Sequence, residues 1–450
     1  MNTRRLACTT LLSAWVCVPA LAAGATSTDQ AMLAAARAQQ PALIQSLEEM
    51  VTIESGSDDT SGLQKMAAYC EGRLKALGAT TRIVSAANGN PPGLVEGVFH
   101  GNGKLRVMLI AHMDTVYREG ILETEPYHRD GNKLYGPGIA DDKGGVAVIL
   151  GSLAVLKQLG WNDYQQLTVL LNPDEEIGSE GTGPSIAKFA ADHDVVLSYE
   201  PTAAKETAKA MAGVAAEGVL LSAAGIANVQ LKVAGRAAHA GAAPEEGRNA
   251  LVELAGQIVR TRDVYKSVKG AQMNWTMASG SRVRNQIPDQ AEAMADMRFS
   301  EPDAPQELLA ALQKAVAGHR LVADTTTTVS VDVTRPIYKA DVRTMTLAKL
   351  AQSIYAELPE GNLEAAPARE VPGGGTTAFS PRNLILIPGT MGGTDAGFAQ
   401  SSGKAAVLEG LGLAGWGYHA RNEYIEIDSI VPRLYLTSRM LVELGRRAHK

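Results

Sequence analysis

YGPGIADDKGG, residues Tyr135 to Gly145, joins glycines and a proline to two adjacent aspartates at the start of an apolar run, Val146 to Leu156. Gly136, Pro137 and Gly138 let the backbone turn sharply and approach another group closely. The apolar residues that follow recur at helical spacing, so the turn delivers Asp141 and Asp142 to a helix N-terminus. Two neighbouring carboxylates repel each other unless a cation or hydrogen-bond donors hold them. That reads either as a metal ligand or as an N-cap aspartate with a solvated neighbour. The flanking sequence favours metal.

Upstream, Leu105 to Ala111 is a short apolar run of the kind expected for a strand buried on both faces. It delivers His112-Met113-Asp114 at its carboxyl end, where ligands bind in open α/β sheets. His112 and Asp114 stand two apart and point the same way along a strand, an imidazole with a carboxylate to orient it. Downstream, Leu167 to Asn172 runs into Asp174-Glu175-Glu176, three carboxylates that are costly at a strand end without a cation. Adjacent glutamates face opposite ways, so one can bind metal while the other reaches a water. Val195 to Tyr199 then ends in Glu200, and a glycine-rich loop, Gly415-Trp-Gly-Tyr-His419, supplies a second imidazole. Three strand–helix units therefore bring acids and an imidazole to one sheet edge.

Two helices precede this core, Ala31 to Met50 and Ser61 to Leu77. From Gly225 the pattern changes. Ala227 to Val233 alternates like a half-exposed strand, and Asn249 to Arg262 is helical. Strands at Met273 to Ala278 and Glu292 to Phe299, a helix at Glu307 to Ala317 and a strand at Thr325 to Val333 follow. This βαββαβ order predicts an inserted α+β, ferredoxin-like domain that closes near Arg335-Pro336. A helix from Thr344 to Leu358, strands at Leu384 to Ile387 and Ala406 to Leu408, and a helix from Ser429 to Leu444 return to the first domain. The expected division is 23–224 and 336–450 for an α/β catalytic domain and 225–335 for the insert.

The chain has 450 residues, 42 Lys plus Arg against 48 Asp plus Glu, and a formal charge of −6. No Arg-rich run is present, which argues against nucleic acid as a partner. Arg4 and Arg5, the apolar Leu11 to Leu21 and the Ala20-Leu21-Ala22 site read as a secretory signal peptide over 1–22. The expected location is periplasmic or secreted, because the apolar run is too short for a stable membrane anchor. Cys8 precedes the apolar run, unlike a lipoprotein cysteine. Removal of the peptide takes Cys8 and Cys17 with it, leaving Cys70 alone and no internal disulfide. Met66, Ala67, Leu74 and Leu77 surround Cys70 at helical spacing, the signature of a buried core thiol.

HMDTV at 112–116, YGPGIADDKGG at 135–145, DEEIGS at 174–179, SYEPT at 198–202, GRAAHAGAAPEEG at 235–247 and GYH at 417–419 resemble the M20 metallopeptidases. Within them the likeness is to the glutamate carboxypeptidases. The resemblance implies a mixed central sheet of the zinc exopeptidase type with the insert as lid and dimerisation domain. It implies two zinc ions per subunit, one on His112 and Glu200, the other on Glu176 and His419, bridged by Asp141. Glu175 matches the general base and Asp114 the carboxylate that orients His112. His239 matches the lid histidine that polarises the substrate carbonyl across a homodimer. Asn285 and Arg298 match substrate contacts, Arg298 taking the terminal carboxylate. The family's glycine loop is split between Gly373-Gly-Gly-Thr376 and Gly392-Gly-Thr-Asp395, and Gly392, Gly393 and Thr394 are assigned to the site.

The implied activity is hydrolysis of the amide to a C-terminal amino acid, with glutamate preferred, in small peptides or N-acyl amino acids. Oxygen and imidazole ligands without thiolate suit zinc, with cobalt or manganese as alternatives. A deacylase or dipeptidase of the same family is the rival reading. A metal-dependent binding protein without turnover is the rival of another class, and Glu175 argues against it.

Overall fold

The computed structural model describes residues 28–90, 92–213, 215–361, 363 and 380–450. The expected signal peptide, 1–22, and the Gly373 to Thr376 motif lie outside them. Among the described residues no helix is long and apolar enough to cross a membrane.

Six strands form the central sheet, in the order Thr80–Val84, Leu94–His100, Gln166–Asn172, Arg106–His112, Val195–Ser198, Ala406–Leu408. Leu94–His100 is antiparallel to both neighbours, while the four strands beyond it run parallel, so the sheet is mixed as expected. Val107 and Leu109 face a core shared with helices Gln30–Val51, Lys143–Gln158 and Ile430–Ala448. Met108 and Ile110, pointing the other way, join a second cluster on the opposite face. Burial on both sides is why this strand carries no polar residue between Val107 and Ala111. Parallel pairing aligns the carboxyl ends, with His112 beside Asn172.

The insert has its own four-stranded antiparallel sheet, ordered Ala271–Ser279, Gln290–Phe299, Gly225–Ala234, Thr326–Arg335. Ala227, Val229, Leu231 and Val233 point to one face, under helices Ala250–Thr261 and Ala304–Ala317. The other face is open, which produces the alternation legible in the sequence.

Element ends move by a turn or less. The expected strand end at Tyr199 falls at Ser198, and the helix expected over Thr344 to Leu358 spans Val342–Tyr355 because Asp341 caps it, accepting from the Thr344 N–H at 2.8 Å. The last helix runs on to Ala448. A small five-stranded sheet has no counterpart among the expected elements, since its strands are only two or three residues long. It pairs Lys133–Tyr135 with Tyr424–Glu426, and Tyr424–Glu426 with Ala414–Trp416. The YGPG turn and the loop bearing His419 therefore leave adjoining strands. Cys70 is a fully buried core thiol, pushed up to about 12 by burial.

Candidate metal centre

Asp142 and Asp141 divide the two readings of their motif between them. Asp142 caps the helix Lys143–Gln158, accepting from the Gly145 N–H at 3.1 Å, and also accepts from the His112 backbone N–H at 3.2 Å. Asp141, across a cis peptide bond, turns its carboxylate towards both imidazoles. Its Oδ1 lies 3.0 Å from His112 Nε2 and its Oδ2 3.4 Å from His419 Nε2. Glu200 Oε1 is 3.8 Å from His112 Nε2, and Glu176 Oε2 is 3.1 Å from His419 Nε2. Two sets of potential ligands result, His112–Asp141–Glu200 and Asp141–Glu176–His419, sharing Asp141.

Asp114 sits behind this cluster, fully buried. Its Oδ1 is 3.3 Å from His112 Nδ1, and its two oxygens accept the backbone N–H groups of Glu175 and Glu176 at 3.1 and 3.0 Å. Ser57 Oγ donates to it at 2.8 Å. One carboxylate thereby orients an imidazole and anchors the turn carrying both glutamates.

The electrostatics call for positive charge. Burial pushes Glu200 and Glu176 above the usual carboxylate range, and Glu175 up to about 8. Burial also works against ionisation of Asp141, but hydrogen bonds from His112 and His419 outweigh it and hold that carboxyl low. His419 is pushed up to about 10 by Asp141 and Glu176. Burial disfavours a charged His112, yet Asp114 and Asp141 raise it well above its ordinary value. Glu176 Oε1 is buried with no hydrogen-bond partner. An orphaned carboxylate oxygen and two imidazoles drawn towards protonation fit a centre built for cations.

Sequence reasoning gave no role to two side chains here. Arg335, the last residue of an insert strand, is buried, ion-paired through Nη1 with Glu175 Oε1, and donates from Nη2 to the Glu175 carbonyl. In the sequence it marks only a domain boundary. Glu423 accepts the backbone N–H groups of Gly138, Ala140 and Asp141 at 2.8–2.9 Å, and the Tyr117 hydroxyl at 2.8 Å. It fastens the YGPG turn, and its place four residues after His419 was the available signal.

His239, Asn285 and Arg298 bond to neighbours within the insert. His239 is exposed, and its Nδ1 accepts from the Gly241 and Ala242 N–H groups at 3.2 and 3.0 Å, which puts the proton on Nε2. Asn285 bonds the residue after His239, its carbonyl accepting from the Ala240 N–H at 2.9 Å. Arg298 Nε bonds Asp296 Oδ2 at 2.9 Å on their shared strand face. In the glycine loop, a Cβ on Gly393 would meet Arg335 Cδ and Ile226 Cδ1 at 2.8 Å, so a larger residue would displace those side chains. Gly392 and Thr394 flank it in the loop.

Residues 108–443 match the description Peptidase family M20/M25/M40. The chain is 38% identical over 436 residues to Carboxypeptidase G2 of Pseudomonas sp. (strain RS-16), covering 97% of this chain and 96% of that one. It is 30% identical to a Cys-Gly metallodipeptidase of Candida albicans over 34% of this chain and 36% of the relative. The fold is similar to that of an M20 family metallo-carboxypeptidase of Sulfolobus solfataricus, with TM-score 0.63 at 17% identity, covering 90% and 98% of the two chains.

Proposed function

The chain belongs to peptidase family M20/M25/M40, and on that premise we propose that it is a zinc metallo-carboxypeptidase that releases a C-terminal glutamate from peptides or N-acyl amino acids. The observation that carries this reading is the pair of acid–imidazole sets sharing Asp141, with Glu175 in the adjoining turn. Similarity to Carboxypeptidase G2 along almost the whole chain supports the carboxypeptidase activity and the glutamate. The shorter match to a metallodipeptidase supports a change of substrate as the second reading.

In this reading His112 and Glu200 would hold one zinc, Glu176 and His419 the second, and Asp141 would serve both. Zinc bound there supplies Lewis acidity, lowering the pKa of a water and polarising the scissile carbonyl. Arg335 bonds Oε1 of Glu175, so Oε2 is the oxygen left to take the proton of that water and return it to the leaving amine. Burial raises the proton affinity of Glu175, and the Arg335 charge opposes it. Asp114 keeps His112 aimed. His239 of the partner subunit, protonated on Nε2, donates to the developing oxyanion. Asn285, Arg298 and the loop Gly392–Thr394 bind substrate, with Arg298 on its terminal carboxylate.

The subunits pair through the insert. Met277 and Val333, 65% and 52% exposed on the two edge strands of its sheet, support that assembly. Export of the mature enzyme follows from the signal at 1–22.

The deciding experiment is amino-acid release from a panel of N-acyl-glutamates, other N-acyl amino acids and dipeptides by the zinc-loaded protein. Glutamate release that stops with chelator and returns with zinc is expected. Zinc binding without release from any substrate would leave the binding-protein reading. Mixing inactive His239→Ala and Glu175→Gln subunits tests the trans role: exchanged heterodimers should regain part of the activity, and inactive heterodimers would remove it.

A further inference from the structure

We propose that Asp395 is a positioning residue for the hydrolysis: with Asn172 and Ser179 it clamps the glycine loop Gly392–Thr394 to the turn carrying Glu175 and Glu176. The inference rests on the function proposed above. Asp395 follows the glycine loop directly and is 5% exposed. Its Oδ1 accepts from Ser179 Oγ at 2.5 Å and its Oδ2 from Asn172 Nδ2 at 2.6 Å.

The clamp has one arrangement. Asn172 Nδ2 donates to both Asp395 and Ser179 Oγ, the latter at 3.0 Å. Its Oδ1 accepts from the Asp174 N–H at 3.1 Å and Thr182 Oγ1 at 2.7 Å. Every donor of that amide is used and its acceptor is used twice, which fixes its orientation. The turn between these residues closes on itself, the Ser179 N–H reaching the Asp174 carbonyl at 2.7 Å and the Gly178 N–H the Glu175 carbonyl at 2.9 Å. Ser179 sits at φ 54°, a conformation unfavourable for any residue but glycine, and its hydroxyl is held by Asp395. Glu175 and Glu176 thus lie in a loop fastened by Asn172 at one end and Ser179 at the other, with Asp395 tying both fastenings to the substrate loop.

Two features separate this from ordinary packing. Asp395 precedes the short helix Ala396–Ser401 yet makes no capping bond to it. Both donors to its carboxylate are neutral, and the nearby Arg335 guanidinium acts on it through charge without a hydrogen bond. A bidentate acceptor between two loops explains why a carboxylate stands there. Asp395 therefore joins the glycine loop to the Glu175–Glu176 side.

The test uses the full zinc-loaded enzyme with Asp395→Ala, Asp395→Asn and Ser179→Ala, each alone and combined with Glu175→Gln. Misplacing a reacting group by about 1 Å costs about 100-fold. We expect kcat to fall about 10- to 100-fold in Asp395→Ala, less in Ser179→Ala, with KM changed far less than kcat. At saturating zinc, the same substitutions should cost almost nothing in the Glu175→Gln background, since what remains of their effect passes through Glu175. Full, additive losses in that background, or a fall in Tm with kcat unchanged, would overturn the proposal. Ser179→Ala loses the two bonds of one hydroxyl but keeps the Asn172–Asp395 bond, and it keeps the test open if Asp395→Ala does not fold. Zinc titration of the metal-free variants gives a readout independent of turnover: displacing Glu176 should weaken binding about 10-fold or more. If the wild-type enzyme hydrolyses no substrate, the proposed function fails, and an unchanged zinc isotherm would then refute the clamp as well.

Discussion

Arg335 and Glu175 form a buried ion pair that joins the last residue of an insert strand to the turn at the metal centre. The guanidinium also bonds the Glu175 carbonyl, so it fixes both the side chain and the backbone of that residue. An arginine on the insert sheet thus holds Glu175 in the core in a single position.

Arg335→Ala should remove the partner of a buried carboxylate and cost about 3–5 kcal/mol of stability. Arg335→Lys restores the charge without the two-pronged geometry, so it should recover stability in part and activity less. Urea unfolding alongside kcat measures both. An Arg335→Ala protein as stable and active as the wild type would show that the pair is incidental.

Glu175 and Asp141 should fail in different ways. Glu175→Gln keeps an oxygen for Arg335 but cannot accept a proton, so turnover should fall about 10²- to 10⁴-fold while metal content holds. Asp141→Ala removes the carboxylate shared by both ligand sets and should deplete metal. Metal analysis beside activity separates them. Normal turnover in Glu175→Gln, or two tightly held ions in Asp141→Ala, would contradict the respective roles.

The strands that build the sheet edge were legible because they are buried on both faces and so carry unbroken apolar runs. The same holds for His112, Asp141, Glu176, Glu200 and His419, which end such runs or follow glycine turns. Arg335, Glu423 and Asp395 were not legible in their roles. Each acts through a partner far away in sequence, Glu175, the 138–141 backbone and Asn172 respectively, and no local period encodes such a pairing. The five-stranded sheet escaped because strands of two or three residues show no alternation.

In the metal-free protein, Asp141 and Glu176 push His419 up to about 10, against an unfolded value of about 6.5. A raised folded pKa contributes stability that is full below about 6.5 and lost as pH climbs through about 10. Stability of the metal-free protein should therefore decline between these limits, and less steeply in His419→Ala. Zinc uptake near neutral pH should release protons from His419 and His112, which calorimetry in buffers of different ionisation enthalpy reads directly. Uptake without proton release would contradict imidazoles charged in the metal-free state.

Arg298 is the assigned carboxylate partner in the insert, yet it already bonds Asp296 at 2.9 Å on a half-exposed strand face. An exposed pair of this kind is worth about 0–1 kcal/mol, little enough for a substrate carboxylate to compete for the guanidinium. The fork geometry of arginine matches a carboxylate in a way lysine cannot reproduce. Arg298→Lys should therefore raise KM and lower kcat/KM sharply for substrates with a free terminal carboxylate. Amidated analogues, already poor, should lose far less. Asp296→Ala sharpens the comparison, because it frees the guanidinium and should lower KM for the same acids if Arg298 binds them. Equal losses on acid and amide substrates, accompanied by a lower Tm in both variants, would assign the pair to the stability of the sheet instead.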